Sequence, residues 1–157
     1  MSSEEQPPLS LLHAVTRWII DEPAREAMAF GDVRLTYGDL AGHALALADR
    51  LQQLGVRPGD RVAAIITPRP EAVIAYLGCW IAGATLTGIT PRLRQEEQRL
   101  ILTDCGATVL LAVEQEGARD LRPDLDAHAS DRGTLVLRIG KAFGAGDLPP
   151  PVQADQI

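Results

Sequence analysis

The side chains in this chain that could do chemistry are few and scattered. His13, His43 and His128 fall in three separate stretches of helical periodicity, without the spacing that a metal ligand set or a proton relay needs. Cys79 and Cys105 sit inside apolar helical patterns, where a thiol is ordinarily a small buried hydrophobe. Glu96-Glu97 read as the acidic first turn of a helix, a placement that the helix dipole favours, and not as a catalytic carboxylate pair. Gly140-Lys141 hints at a phosphate loop, but that pattern needs a glycine five residues earlier and Ser or Thr after the lysine; Leu135 and Ala142 stand there. Arg92 lies just past a short apolar run, in a turn before a helix, and its plainest reading is a solvated cation pairing with Glu96 or Glu97. No Ser/His/Asp arrangement can be argued from these residues.

The elements that must position these groups follow from periodicity and punctuation. Apolar residues Leu12, Val15, Trp18 and Ile19 recur at spacings of three and four, predicting a helix from about 9 to 20, capped by Ser10 and ended by Asp21-Glu22-Pro23. Gly31-Asp32 between 28–30 and 33–35 predicts a small β-hairpin. Thr36, with Asp39 three residues on, caps a helix whose stripe is Leu40, Ala44, Leu47, Ala48, Leu51 and Leu54, with Gly55 as its stop. Tyr37 belongs to that helix start, its ring packing on a neighbour. Arg57-Pro58-Gly59-Asp60 is a turn.

Strand and helix then alternate: strand 61–66, helix 70–82, buried strand 85–89, helix 95–104, strand 108–113, a polar helix 119–129 and strand 134–139. Tyr76 and Trp80, four apart on the first of these helices, point to core or interface and not to a platform for stacking bases. Strands separated by helices predict an α/β fold, a layered, mostly parallel sheet with flanking helices and a small β-hairpin near the N-terminus. The expected organisation is a tail over 1–8, a single domain over 9–139 and a Gly/Pro-rich linker over 140–157.

Composition narrows the function. The chain has 157 residues with a formal net charge of −6, which disfavours nucleic acid and anionic membranes as partners. Lys141 is its only lysine among fifteen Lys and Arg, so any catalytic lysine is Lys141 or belongs elsewhere. No apolar run approaches the ~20 residues that span a bilayer, no basic-then-apolar leader begins the chain, and two cysteines make no disulfide framework; the expected setting is cytoplasmic.

Four runs, in order, carry a resemblance: LTYGDL (35–40), LGVRPGDRVAAI (54–65), AGATLTGITPRLRQEE (82–97) and LILTDCGATVLLA (100–112). Each alone has a structural explanation; in register they resemble the N-terminal part of the adenylate-forming ligases, which include acyl- and aryl-CoA synthetases and the adenylation domains of peptide synthetases. Pro91-Arg92-Leu93 is closer to the CoA ligase branch, while Thr90 departs from the Asn that many CoA ligases carry there. The resemblance implies ATP-dependent activation of a carboxylic acid as its adenylate, then thioester formation, with ATP, Mg and CoA used by a complete enzyme. It implies that Arg92 is a contact to the CoA phosphate.

The family's Gly/Ser/Thr-rich loop, its Thr-Glu pair, its ribose-binding Asp and its C-terminal lysine are not among these residues. The expectation is therefore no catalytic residue, no metal ligand and no cofactor held by this segment alone. Its partners would be the remainder of the ligase, in the same polypeptide or as a separate chain, and a carboxylic acid substrate. The alternative is a stand-alone, non-catalytic docking or regulatory module, which could form a homodimer. A free-standing nucleotide-binding domain is disfavoured, because Thr67-Pro68-Arg69-Pro70 replaces the Gly-rich turn after the first strand.

Overall fold

Thr36 determines where the first long helix, α2 (Tyr37–Gln53), begins, after a first helix α1 (Leu11–Asp21). Its hydroxyl accepts from the Asp39 backbone N–H at 3.1 Å while the Asp39 carboxylate accepts from the Thr36 N–H at 2.9 Å, a reciprocal capping box. The N–H groups of Tyr37 and Gly38 donate to Arg25 O at 3.0 Å and Pro23 O at 2.8 Å, so the helix start leaves none of these donors unused. The Tyr37 ring stacks on Trp18 with centroids 6.1 Å apart, and the Arg25 guanidinium lies over the Trp18 ring at 4.3 Å. This lashes α1 to the start of α2, as the expectation for the Tyr37 ring required.

The computed structural model describes residues 11–116, 118–132 and 135–139; the expected tail, the linker and Lys141 lie outside them, as do Ser10 and its cap. A hairpin of β1 (Glu26–Phe30) and β2 (Val33–Thr36) turns at Gly31-Asp32, with Phe30 opposite Val33. The main sheet comprises β3 (Arg61–Ile65), β4 (Thr85–Ile89), β5 (Val109–Val113) and, last among the described residues, a strand over Leu135–Ile139. Two helices, α3 (Pro70–Ile81) and α4 (Gln95–Cys105), make its first crossovers. After β5 come a short antiparallel pair, β6 (Gln115–Glu116) and β7 (Arg119–Asp120), then α5 (Arg122–Arg132) and the strand over 135–139, β8. All pairings in the sheet are parallel, in the order β4-β3-β5-β8.

The core lies where that order places it. β3 and β5 are interior strands, and Val62, Ala63, Ile65, Val109, Leu110 and Leu111 are essentially inaccessible. Helices α2 and α3 pack against each other with Leu47, Leu51, Ile74 and Ala75 fully buried between them and the sheet. Gly78 is the closest approach: a Cβ there would lie 2.7 Å from Leu47 Cδ2. Gly83, at φ +73°, ends the α3 turn in the left-handed region, and its carbonyl accepts from the Gly59 N–H at 2.8 Å.

Two expectations need correction, and a third is narrowed. Residues 85–89 are not a buried strand: β4 is an edge strand, and Thr85 and Gly88 are exposed. Helix 119–129 starts instead at Arg122, because Arg119-Asp120 pair as a strand and Pro123 fits only the first helical turn. Of the two readings of Tyr76 and Trp80, core or interface, the structure excludes the core of this chain: they are 59% and 46% exposed.

Candidate functional site

The sheet register decides which loops share an edge. Ile65 is paired with both Ile89 and Ala112, so β3, β4 and β5 finish level and their outgoing loops emerge together. In open parallel sheets this carboxyl edge is where ligands bind. The loop after β4, residues 90–94, carries Arg92 there, exposed, while Pro91 beside it is buried.

The local hydrogen bonds on the Arg92 side of this turn are long. The Arg92 N–H donates to Thr90 Oγ1 at 3.3 Å and the Leu93 N–H to Thr90 O at 3.3 Å, both at the long end for hydrogen bonds. Its two flanking carbonyls are held from elsewhere. Arg119 Nη1 donates to Pro91 O. Gln98 Nε2 donates to Leu93 O at 3.2 Å. Gln98 and His128 are both almost fully buried, and their Oε1 and Nε2 atoms are 3.1 Å apart. With the Gln98 amide nitrogen facing Leu93, its oxygen faces His128, so His128 Nε2 carries the proton and donates. The Arg119 guanidinium also bonds Asp124 Oδ2 at 2.9 Å. Glu97 is occupied with its own helix start, accepting from the Arg94 N–H at 2.8 Å.

The other candidates lie on separate elements. His13, His43 and His128 lie on α1, α2 and α5, and among the described residues no group of three or more His, Cys, Asp or Glu side chains forms a metal site. His43 is buried, and that burial pushes its pKa below the usual value, with Asp39 opposing. Cys79 is buried and its thiol is pushed up to about 12, the signature of an inert core cysteine. Sequence reasoning passed over Arg119 and Gln98. The first lay within a presumed helix, and no local signal marks a contact that spans 28 residues.

Beside β4 the surface is apolar. A cleft of about 500 Å³ is lined by Met28, Phe30, Val73, Tyr76, Leu86 and Arg69 among others. A second, of about 660 Å³, shares Val73, Tyr76 and Leu86 and adds Leu40 and Trp80. Arg69 does not make the first cleft an anion site. Its Nε and Nη2 bond the two carboxylate oxygens of the buried Glu71 at 2.8 and 3.1 Å, which neutralises the charge. This face suits an apolar partner. No helix among the described residues is long and apolar enough to cross a membrane.

Comparison with known proteins places these features in context. Residues 15–154 match the family described as "AMP-binding enzyme". A feruloyl-CoA synthase from Amycolatopsis sp is 33% identical over 137 residues, covering 86% of this chain and 27% of that protein. The crystal structure of the anthranilate CoA ligase AuaEII in complex with anthranoyl-AMP superposes with a TM-score of 0.75 at 24% identity, covering 95% of this chain and 28% of that one. The nonribosomal peptide synthetase FmoA3, in its alpha-methyl-L-serine-AMP bound form, superposes with a TM-score of 0.74 at 29% identity, covering 94% of this chain and 16% of that one. The chain thus spans little more than a quarter of the synthase and the ligase, and less of the peptide synthetase. Relatives of both branches appear, so the CoA reading of Pro91-Arg92-Leu93 rests on that turn alone.

Proposed function

Since the chain belongs to the AMP-binding enzyme family, we propose that it is the N-terminal segment of an AMP-forming carboxylic acid:CoA ligase. It needs the remainder of the enzyme, in the same polypeptide or as a separate chain. In the complete enzyme the carboxylate attacks the α-phosphate of ATP, giving an acyl-adenylate and pyrophosphate, and the CoA thiol then displaces AMP. These residues supply scaffold, part of the acid pocket wall and, in Arg92, a guanidinium for the CoA phosphate. They supply no phosphate loop and no catalytic lysine, so the segment is inactive alone. Positive charge aimed at the reacting phosphate, on which such transfers depend, comes from the remainder.

The observation that carries this reading is the family match over residues 15–154 by a chain that spans only 27% of the feruloyl-CoA synthase it resembles. The exposed apolar face of Phe30, Tyr76 and Trp80 supports it over a stand-alone docking module, in which that face would be coated with charge. A native pull-down tests it. Recovery with, or within, a longer ligase that releases pyrophosphate in the presence of ATP and acid is expected. Recovery alone at 16.9 kDa, without such activity, would favour the docking module. In the active assembly, Arg92→Ala raises the CoA requirement while adenylate formation continues; equal loss in both half-reactions would sink the role of Arg92.

A further inference from the structure

We infer that α5 is a positioning element for Arg92: one face of this helix, acting through Arg119 and Gln98, clamps the backbone on both sides of the arginine. The functional meaning of the clamp rests on the reading of Arg92 as a CoA contact; its existence as a brace does not.

The turn lacks strong support of its own. Residues 90–93 leave an edge strand and carry two long local hydrogen bonds, both to Thr90, before Arg94 is anchored to the start of α4 by Glu97 at 2.8 Å. Such a turn, taken alone, samples several backbone states. A guanidinium on a long side chain gives orientation-specific recognition only if its own backbone is fixed, because each extra freedom dilutes the bound geometry. The structure supplies that fixing in two arms. Arg119 takes the carbonyl of Pro91 and Gln98 takes the carbonyl of Leu93, the residues immediately before and after Arg92.

Both arms are themselves restrained, and by the same helix. Asp124 holds the Arg119 guanidinium at 2.9 Å, and His128 faces the Gln98 carboxamide at 3.1 Å. Asp124 and His128 are four residues apart, so they lie one above the other on a single face of α5. The arms differ in character. The Gln98–His128 arm is buried, with exposures of 1% and 2%, whereas the Arg119–Asp124 arm is partly open, with side chains 43% and 25% exposed. The second can therefore be removed without opening the core, which makes it the arm to test.

Amide exchange on the full chain reads the brace directly, with Arg119→Ala, Arg119→Lys and the parent compared. The Arg92 and Leu93 amides exchange about tenfold faster in Arg119→Ala, the change expected for one lost charged hydrogen bond. The amides of residues 62–65 serve as reference and keep their rates. Arg119→Lys, which retains one donor within reach of Pro91, recovers much of the protection. Unaltered exchange at Arg92 and Leu93 overturns the inference, and so does equal acceleration at 62–65, which would mean a loosened fold and not a freed turn.

In the assembled ligase the CoA reading is tested separately. Arg119→Ala raises KM for CoA in the same direction as Arg92→Ala and by a smaller factor, without a matching rise for ATP. If Arg92→Ala leaves KM for CoA unaltered while Arg119→Ala still frees the turn, the brace stands and the CoA reading falls. If Arg92→Ala raises it and Arg119→Ala affects neither exchange nor KM, the brace falls and the CoA reading stands.

Discussion

Replacing Gly78 by alanine sets two helix effects against each other, and the structure says which wins. Alanine in a helix interior is favoured over glycine by about 1 kcal/mol, so on an exposed helix Gly78→Ala would stabilise. Here the new methyl would lie 2.7, 2.8 and 3.0 Å from Cδ2, Cγ and Cβ of Leu47. Leu47 is fully buried and cannot swing into solvent, so α2 and α3 must part or Leu47 must leave its rotamer. Overpacking of this kind costs about 1–3 kcal/mol, leaving a net loss of up to roughly 2 kcal/mol. Urea unfolding followed by far-UV circular dichroism reads this as a lower midpoint at constant slope.

A double-mutant cycle with Leu47→Ala isolates the cause. Leu47→Ala alone costs about 2–5 kcal/mol through the cavity it leaves. In that background the Gly78 methyl meets open space in place of Cδ2 and Cγ, so the second substitution becomes neutral or favourable and the two effects fall short of additivity by at least ~1 kcal/mol. A raised midpoint for Gly78→Ala, or strict additivity, would refute the claim that this glycine is a packing requirement.

Three further outcomes follow from the geometry. Thr36→Ala removes the capping box and lowers stability by about 1 kcal/mol in the same urea assay, and Thr36→Ser restores most of it. His43 is held neutral in the fold, so unfolding takes up a proton once pH falls below the ordinary value of 6.5. Stability is full above that pH and declines below it, and His43→Gln flattens the decline. Cys79 resists a thiol reagent at pH 8 until the protein unfolds, whereas the partly exposed Cys105 reacts first; mass spectrometry of peptides labelled over time distinguishes them.

What was legible in the chain was what local chemistry decides. Thr36 with Asp39, the stripe from Leu40 to Leu54, Gly31-Asp32, and the glycines at 55 and 59 each fix an element or its end, and all three of these glycines have positive φ. Pro123 could have moved the start of α5 to Arg122, since proline is at home in a first turn and nowhere later. The illegible part depends on strand order. An alternation of strands and helices says the sheet is parallel but not that β4 lies at its edge, and so does not reveal that Tyr76 and Trp80 stay uncovered. Arg92 was visible as a candidate, but its supports were not: Arg119 and His128 reach it only after a chain of elements has folded back.

The strand order also gives the sheet a history. β3 comes first in the chain, β4 lies on one side of it across α3, and β5 and then β8 extend the other side, so every strand neighbours one synthesised before it. A chain emerging from a ribosome could assemble the α2–α3 pair and the first strand pair as soon as residue 89 is free, with mostly near-neighbour contacts and little entropy lost to loop closure. The turn bearing Arg92 emerges next, but Arg119, Asp124 and His128 are synthesised some thirty residues later. The one arginine to which a ligand contact is ascribed is thus synthesised well before the residues that fix its bearing.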